Sequence, residues 1–423
     1  MARTRILQYP AFVRFWIADA VSNLGTFTST LALQLLLIQT LHADQTELGI
    51  VRAAQWLPYL LFGLLSGVVV DRMRRKPILI AADTLSAALL GAVGALALTG
   101  RLTVPLVAIL VFGVGASSMF FAAAHQSFLP RLVPTTLLPV ANSRLGQTYS
   151  AAQSAGPLAA GALVRFLSAP VAVLVDAASY AVSAMVLATV RADEPVPARQ
   201  PDRHVWRELR AGASWVYRHR TLAPYALSLH LWFFFNSVVS TVLIFFATIE
   251  LRLDALTIGG VLACAGVAGV IGAGLAPRLS QRFGLGLVCV GTQWLTPAAY
   301  LLVVVARPGL QAVVLLVASQ LLLGLGMGIN GPLEMSYRNA VTPDRLRARM
   351  NATIRSFNWG SMAVSAPLGG WMAVEWGNRA AIAVGIAGLL VGAVVVNVSP
   401  FRSAVMPDGP PEDPGGVARP ESG

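Results

Sequence analysis

Charge is what this sequence has least of. Asp, Glu, Lys and Arg make up 12% of its 423 residues, against about 25% in an ordinary soluble domain. That leaves too little polar surface to cover a globule of this length in water, which excludes a large soluble protein. Cysteine is scarce too. Cys264 and Cys289 sit in separate apolar runs without metal-ligand spacing, so they read as small buried hydrophobes. The five histidines do not cluster, and no phosphate-binding glycine loop, nucleophile elbow or paired-histidine zinc motif occurs. Those absences argue against an enzyme, against a metal centre and against a pump carrying its own nucleotide site.

What is present is apolar sequence in long runs. Hydrophobic residues make up 56% of the chain and the mean hydropathy is +0.68. A helix needs about 20 mainly apolar residues to cross a bilayer. Twelve such segments are expected, at 12–40, 46–70, 77–99, 103–130, 139–166, 169–191, 222–250, 256–277, 284–306, 310–337, 348–374 and 378–399. The first is too long for a signal-peptide core and no small-residue cleavage site ends it, so it is expected to be retained. The net charge of +12 does not form one basic patch, which excludes a nucleic-acid partner. Instead 24 of the 31 Lys and Arg fall in the loops on the side of the N-terminus and five on the other side. That asymmetry predicts a multi-pass inner (plasma) membrane protein with both termini in the cytoplasm.

Two segments stand apart. Residues 192–221 begin as a Pro-rich, charged linker, then mix Trp206, Leu209, Trp215 and Val216 with arginines, as an amphipathic helix on the inner leaflet does. The tail at 400–423 is rich in Pro and Gly and is expected to be disordered.

The chain also repeats itself. Ser127, Phe128, Pro134, Leu137 and Asn142 return as Ser336, Tyr337, Pro343, Leu346 and Asn351, all at a spacing of 209 residues. The run from Gly156 to Gly161 returns almost in register as Ala366-Pro367-Leu368-Gly369-Gly370. Two parallel six-helix halves, 1–191 and 222–399, joined by a central loop, form a transporter architecture.

With that framework, the loop Gly67-Val68-Val69-Val70-Asp71-Arg72-Met73-Arg74-Arg75-Lys76 resembles the signature loop of the major facilitator superfamily, G-x-L-x-D-R-x-G-R-R/K. It departs from it at Val69 and at Arg74, where the family has a glycine. Gly156-Pro157 with Gly161 resembles part of the fifth-helix motif of drug–proton antiporters. Residues 128–142 and 341–355 resemble the branch that holds enterobactin exporters and macrolide efflux proteins. The resemblance implies a secondary transporter without cofactors, driven by the proton-motive force, monomeric, moving a small amphipathic molecule such as a drug, macrolide or siderophore out of the cell. A nutrient importer and a transport-inactive membrane sensor remain open.

Candidate residues follow. In the motif loop, Gly67, Asp71, Arg72, Arg75 and Lys76 are expected to gate one access state. Asp71 stands at a negative helix end and so needs a cationic partner, for which Arg75 is the local choice. The alternative is a loop that only records topology. Gly156, Pro157 and Gly161 make either a kink or a packing notch. A charge at the membrane centre costs about 2.5–3.5 kcal/mol, so ionisable residues within spans point to mechanism. Asp19, Glu334 and Arg355 lie at similar depth and are expected to form one network at the inner mouth, or else a structural cluster; Arg52 is a further coupling candidate, nearer the outer face. Asp83 and Asp176 are read as structural. The resemblance places the first, fourth, seventh and tenth spans around the cavity, which offers Asn23, Ser118, Met119, Phe120, Phe234, Asn236 and Asn330 to cargo.

Overall fold

A computed structural model describes residues 6–192, 194 and 205–407, excepting the side chains of 64–68, 71 and 205–209. The described residues are all-helical. In chain order the helices are α1 (Pro10–Gln39), α2 (Gln45–Asp71), α3 (Arg75–Leu98), α4 (Val104–Phe128), α5 (Leu138–Phe166) and α6 (Ala169–Ala188), then α7 (Val205–Arg218). After it come α8 (Leu222–Phe245), α9 (Ala255–Phe283), α10 (Leu285–Val304), α11 (Leu310–Ala340), α12 (Asp344–Trp376) and α13 (Asn378–Asn397). Among the described residues nine helices are long and apolar enough to cross a membrane. The other three long ones, α2, α5 and α12, have 27, 29 and 33 residues. At 1.5 Å per residue each exceeds the roughly 30 Å of a hydrocarbon core. The short α7 falls where the amphipathic segment was expected. Most of the expected linker and the tail beyond residue 407 lie outside the described residues.

Local chemistry sets the helix boundaries. Asp44 and Glu47 cap α2 reciprocally, at 2.8 and 3.0 Å. Asp254 caps α9 through the Thr257 N–H, which holds its carboxyl below the usual range. Past α8 the chain makes a π-turn over Phe246–Glu250.

Packing repeats as the sequence does. α1 packs on α5 and α6, α2 on α4, and α3 on α4 and α6; α8 packs on α12 and α13, α9 on α11, and α10 on α11 and α13. The two sets meet along two seams, α2 with α12 and α5 with α9. Backbones touch there. A Cβ on Gly161 would sit 2.4 Å from the Ala255 carbonyl oxygen, and one on Gly259 2.3 Å from that of Pro157. Gly49 and Gly370 do the same at the other seam, against Ala366 and Gln45. Small residues permit this approach where lipid supplies no hydrophobic drive between helices.

The core is arranged differently at the two ends. At the end holding residues 31–51 and 238–258, one continuous cluster includes α1, α2, α4, α6, α8 and α13. At the end holding residues 6 and 401 there are separate clusters. One joins Phe12, Phe15, Leu79 and Phe128, a second Leu222, Tyr225, Leu285 and Phe401, and a third Val216, Ala226, Met350 and Ile354. Among the described residues the core is thus continuous at one end, the sealed end, and divided at the other, the split end. The seal carries polar ties: Arg165 with Asp254 at 3.2 Å, and Gln45 to Asn378 to Glu250 at 3.2 and 2.6 Å.

Candidate functional site

In α1 the buried residues Phe12, Phe15, Ala18, Asp19 and Ser22 recur every three or four positions, so one face turns inward. That face brings Asp19 against α4, where its Oδ1 lies 2.9 Å from Nε2 of His125. Distance favours an ion pair, but the ring N–H is poorly aligned with the oxygen. The imidazole is held between Phe15, at 4.6 Å, and Phe121, at 5.7 Å. Asp19 is 7% exposed, so this is a nearly dry carboxylate facing a base on another helix.

On α11, Asn330, Glu334 and Arg338 follow at four-residue steps along one face. Arg338 donates to Glu334 on its own helix and to Asn351 Oδ1 of α12 at 3.0 Å. Asn351 in turn donates to Asn339 at 3.0 Å. Asn330 accepts from Tyr225 at 2.9 Å and from Thr292 at 3.2 Å. Asn330 and Glu334 line a cavity of about 130 Å³ between α8, α10 and α11, with Trp232, Gln293, Thr296 and Met327 on its other walls.

The expected single network is therefore corrected. Asp19 pairs with His125 and Glu334 with Arg338, while Arg355 lies over the Trp359 ring at 5.7 Å, in a small cleft with Tyr59 and Met119. The residues share a depth but sit on helices whose rotation turns them to different neighbours. Arg52 is half-buried and reaches across from α2 to the Ser240 carbonyl of α8, at 2.9 Å.

The motif loop also has a different partner. Arg75 is bound by Glu194, which follows α6: Arg75 Nε is 3.9 Å from Oε1, and Glu194 accepts both the Arg75 N–H and the Lys76 N–H. The helix start at Arg74 has no side-chain cap of its own, so this carboxylate satisfies its bare N–H groups. Lys76 Nζ donates to the Ala188 carbonyl, and Arg72 is exposed. Arg74 is extended, at φ −67°, so the position needs no glycine. Gly67 and the Asp71 side chain lie outside the described residues. In α5, Gly156 sits against Phe27 of α1 and Gly161 against α9, so the segment is a close-packing surface on both sides.

The seven cargo candidates divide. Asn330 lines the cavity, and Met119 is buried beside the Tyr59 cleft. Asn236 is tied to the Tyr300 hydroxyl at 2.6 Å, and Phe234 packs on the sealed core. Phe120 packs on the cluster of the first half, Asn23 bonds its own helix at the Asp19 carbonyl, and Ser118 is half-buried near Tyr180.

Sequence reasoning missed His125, Arg338 and Glu194. A signal existed for the first, since His125 and Glu334 occupy the same place in the 209-residue repeat. Asp83 and Asp176 are almost fully buried, at 1% and 0% exposure. Ser179 donates to Asp176 at 3.0 Å, and Ser183 lies beside Asp83 without a well-formed hydrogen bond. Among the described residues no His, Cys, Asp and Glu side chains gather as a metal site would require.

A family profile described as transmembrane secretion effector matches residues 5–413. The uncharacterized MFS-type transporter YkuC of Bacillus subtilis (strain 168) is 23% identical over 235 residues, 53% of this chain and 54% of that one. The chain thus spans about half the length of the curated relative it matches. Among solved structures, the nucleoside transporter NupG superposes with a TM-score of 0.73 at 13% identity, covering 92% of this chain and 98% of that one. A bacterial homologue of the iron transporter ferroportin, in its inward-facing state, gives 0.70 at 18% identity, covering 93% and 99%. Matched nearly end to end by its family model, this chain belongs to the major facilitator superfamily.

Proposed function

We propose that the protein is a proton-coupled exporter of a small amphipathic organic molecule, working from the inner membrane as a monomer of two six-helix halves with twelve spans and both termini cytoplasmic. Export agrees with the family's description as a secretion effector. The Lys and Arg asymmetry assigns the split end to the cytoplasm, where cargo would enter. The cavity around Asn330 mixes Trp232, Phe233 and Met327 with Thr292, Gln293 and Thr296, a lining that suits an amphipathic ligand, and at about 130 Å³ it would take one group of such a cargo rather than the whole molecule.

The observation that carries the reading is the Asp19–His125 pair. A proton taken by Asp19 removes the attraction that ties α1 to α4, and its release towards the cytoplasm restores it. Such a pair links proton position to the relation between two cavity helices, which is what coupling requires. Glu334, the other sequence candidate, is engaged by Arg338 of its own helix and serves as a brace. Asp71 is proposed as the latch of the motif loop.

The test begins with efflux of amphipathic dyes and drugs from an efflux-deficient host, which identifies a cargo. That cargo is then followed in liposomes under an imposed pH gradient. Asp19→Asn and His125→Gln should still exchange cargo but lose pH-driven accumulation. Wild-type pH-driven transport in both variants would overturn the coupling role, and absence of any proton-dependent efflux by the native protein would overturn the function.

A further inference from the structure

At the split end, α7 lies across the start of α12. Val216 is buried with Met350 and Ile354, and Trp215 donates its indole N–H to Thr342 Oγ1 at 3.2 Å. Gly212 lies against the Arg349 carbonyl, where a Cβ would come within 2.8 Å. The chain then turns through residues 218–221 into α8. In that turn His219 is fixed, because its Nδ1 accepts the N–H groups of Thr221 and Leu222, each at 3.3 Å. An acceptor Nδ1 leaves the ring hydrogen on Nε2, so the imidazole is a neutral donor.

These elements surround a cavity of about 630 Å³, lined by Ser214, Trp215, Arg218, His219, Arg220 and Arg345 among others. That is the size range of small-ligand sites, about 300–1,000 Å³. Basic residues are expected at a cytoplasmic membrane face, so their presence alone means little. Their grouping is what distinguishes this place. Some arginines at this end carry carboxylates, as Arg75 does Glu194, Arg338 Glu334 and Arg347 Asp344; others do not, such as Arg14, which donates to the Thr189 carbonyl. Among the described residues, neither Arg218 nor Arg220 has a carboxylate partner and no acid lines the cavity. Three arginines, a histidine, a serine and a tryptophan line this one space.

We propose that this cavity binds a phosphoester anion at the membrane surface. Guanidinium forks match phosphate oxygens in geometry and charge. Tryptophan belongs at headgroup depth, and juxtamembrane basic residues attract anionic lipid. The chemistry is shared by an inner-leaflet phospholipid headgroup and by a soluble organic phosphate. The site is separate from the Asp19–His125 pair and independent of the cargo.

The full-length protein is purified in detergent and offered phosphatidylglycerol or phosphatidylcholine, and bound lipid is counted by native mass spectrometry. A second arm measures glycerol 3-phosphate by calorimetry on delipidated protein. Wild type should retain phosphatidylglycerol, and Arg218→Gln/Arg220→Gln should retain about tenfold less, as loss of two charge-assisted contacts implies. An Arg101→Gln/Arg307→Gln control, with the same charge change at the sealed end, should bind as wild type. Ser214→Glu is a second variant, which puts a carboxylate beside the arginines and should reproduce the loss if the double variant misfolds. Selective loss in the lipid arm assigns the site to a headgroup, and selective binding of glycerol 3-phosphate assigns it to a soluble phosphate. Equal retention by wild type and both cavity variants with no glycerol phosphate binding, or equal loss in the control, overturns the proposal.

Discussion

His125 and Glu334 stand 209 residues apart, at the same place in the repeat, yet they solve the burial of charge in opposite ways. In the first half the base is on α4 and its acid on α1, so the pair joins two helices. In the second half the acid and its arginine lie on one helix, α11, and Asn351 braces them from α12. The surroundings differ in the same sense. The first half buries Asp19, Asp83 and Asp176; the second buries Thr292, Gln293 and Thr296 around a cavity that Glu334 also lines. Under the proposed function this duplicated scaffold divides labour, the acid–base pair that spans two helices moving the proton and the half that holds the cavity meeting cargo.

That division can be broken by experiment. The largest effect is expected at Asp19. One proton moving down 100 mV is worth about 2.3 kcal/mol, or about a 50-fold concentration ratio. Asp19→Asn should reduce pH-driven accumulation to near unity, measured as cargo uptake into liposomes. Glu334→Gln should instead leave Arg338 buried without its counter-charge. It should lower unfolding stability by about 3 kcal/mol, read by thermal denaturation in detergent, while surviving protein keeps its pH dependence. If Glu334→Gln abolishes the pH drive and Asp19→Asn does not, the roles of the halves are reversed. Asn330→Leu removes the acceptor for Tyr225 and Thr292 at the cavity wall. Apparent cargo affinity should weaken about tenfold, with the pH profile unchanged.

The smallest effect is expected where the halves begin. Among the described residues no side chain caps α1, whereas at the start of α8 the His219 ring accepts the Leu222 N–H. Burial pushes the His219 imidazole below its ordinary 6.5. The unfolded chain then takes up a proton near that pH that the folded one resists. Stability should be complete above about pH 6.5 and fall as pH drops through it, and His219→Asn should flatten that slope in thermal-shift assays.

Much of the scaffold was legible because one quantity, apolar length, determines it. All twelve expected segments coincide with a long helix to within a few residues, and even the short amphipathic α7 is where Trp215 and Val216 placed it. The repeat was legible because spacing survives divergence of the residues themselves. Partnerships across helices were not. Asp19 was visible as a costly residue, but its partner depended on the rotation of α1 against α4, and apolar composition around a helix leaves rotation undetermined. Glu194 was hidden for another reason. It lies in a charged linker with no periodicity, and its role comes from the exposed N–H groups that α3 happens to present nearby. The inferred meeting of Asp19, Glu334 and Arg355 failed because depth fixes one coordinate of three.

The reciprocal glycine contacts at the two seams also bear on pharmacology. Where Gly161 meets Ala255 and Gly49 meets Ala366, backbone lies on backbone, and no side chain stands between the helices. Such a bearing offers an inhibitor neither a pocket to fill nor a residue to grip. Even the cleft beside it, where Tyr59 and Trp359 meet edge to face at 4.7 Å near Arg355, holds only about 20 Å³, room for little more than one water.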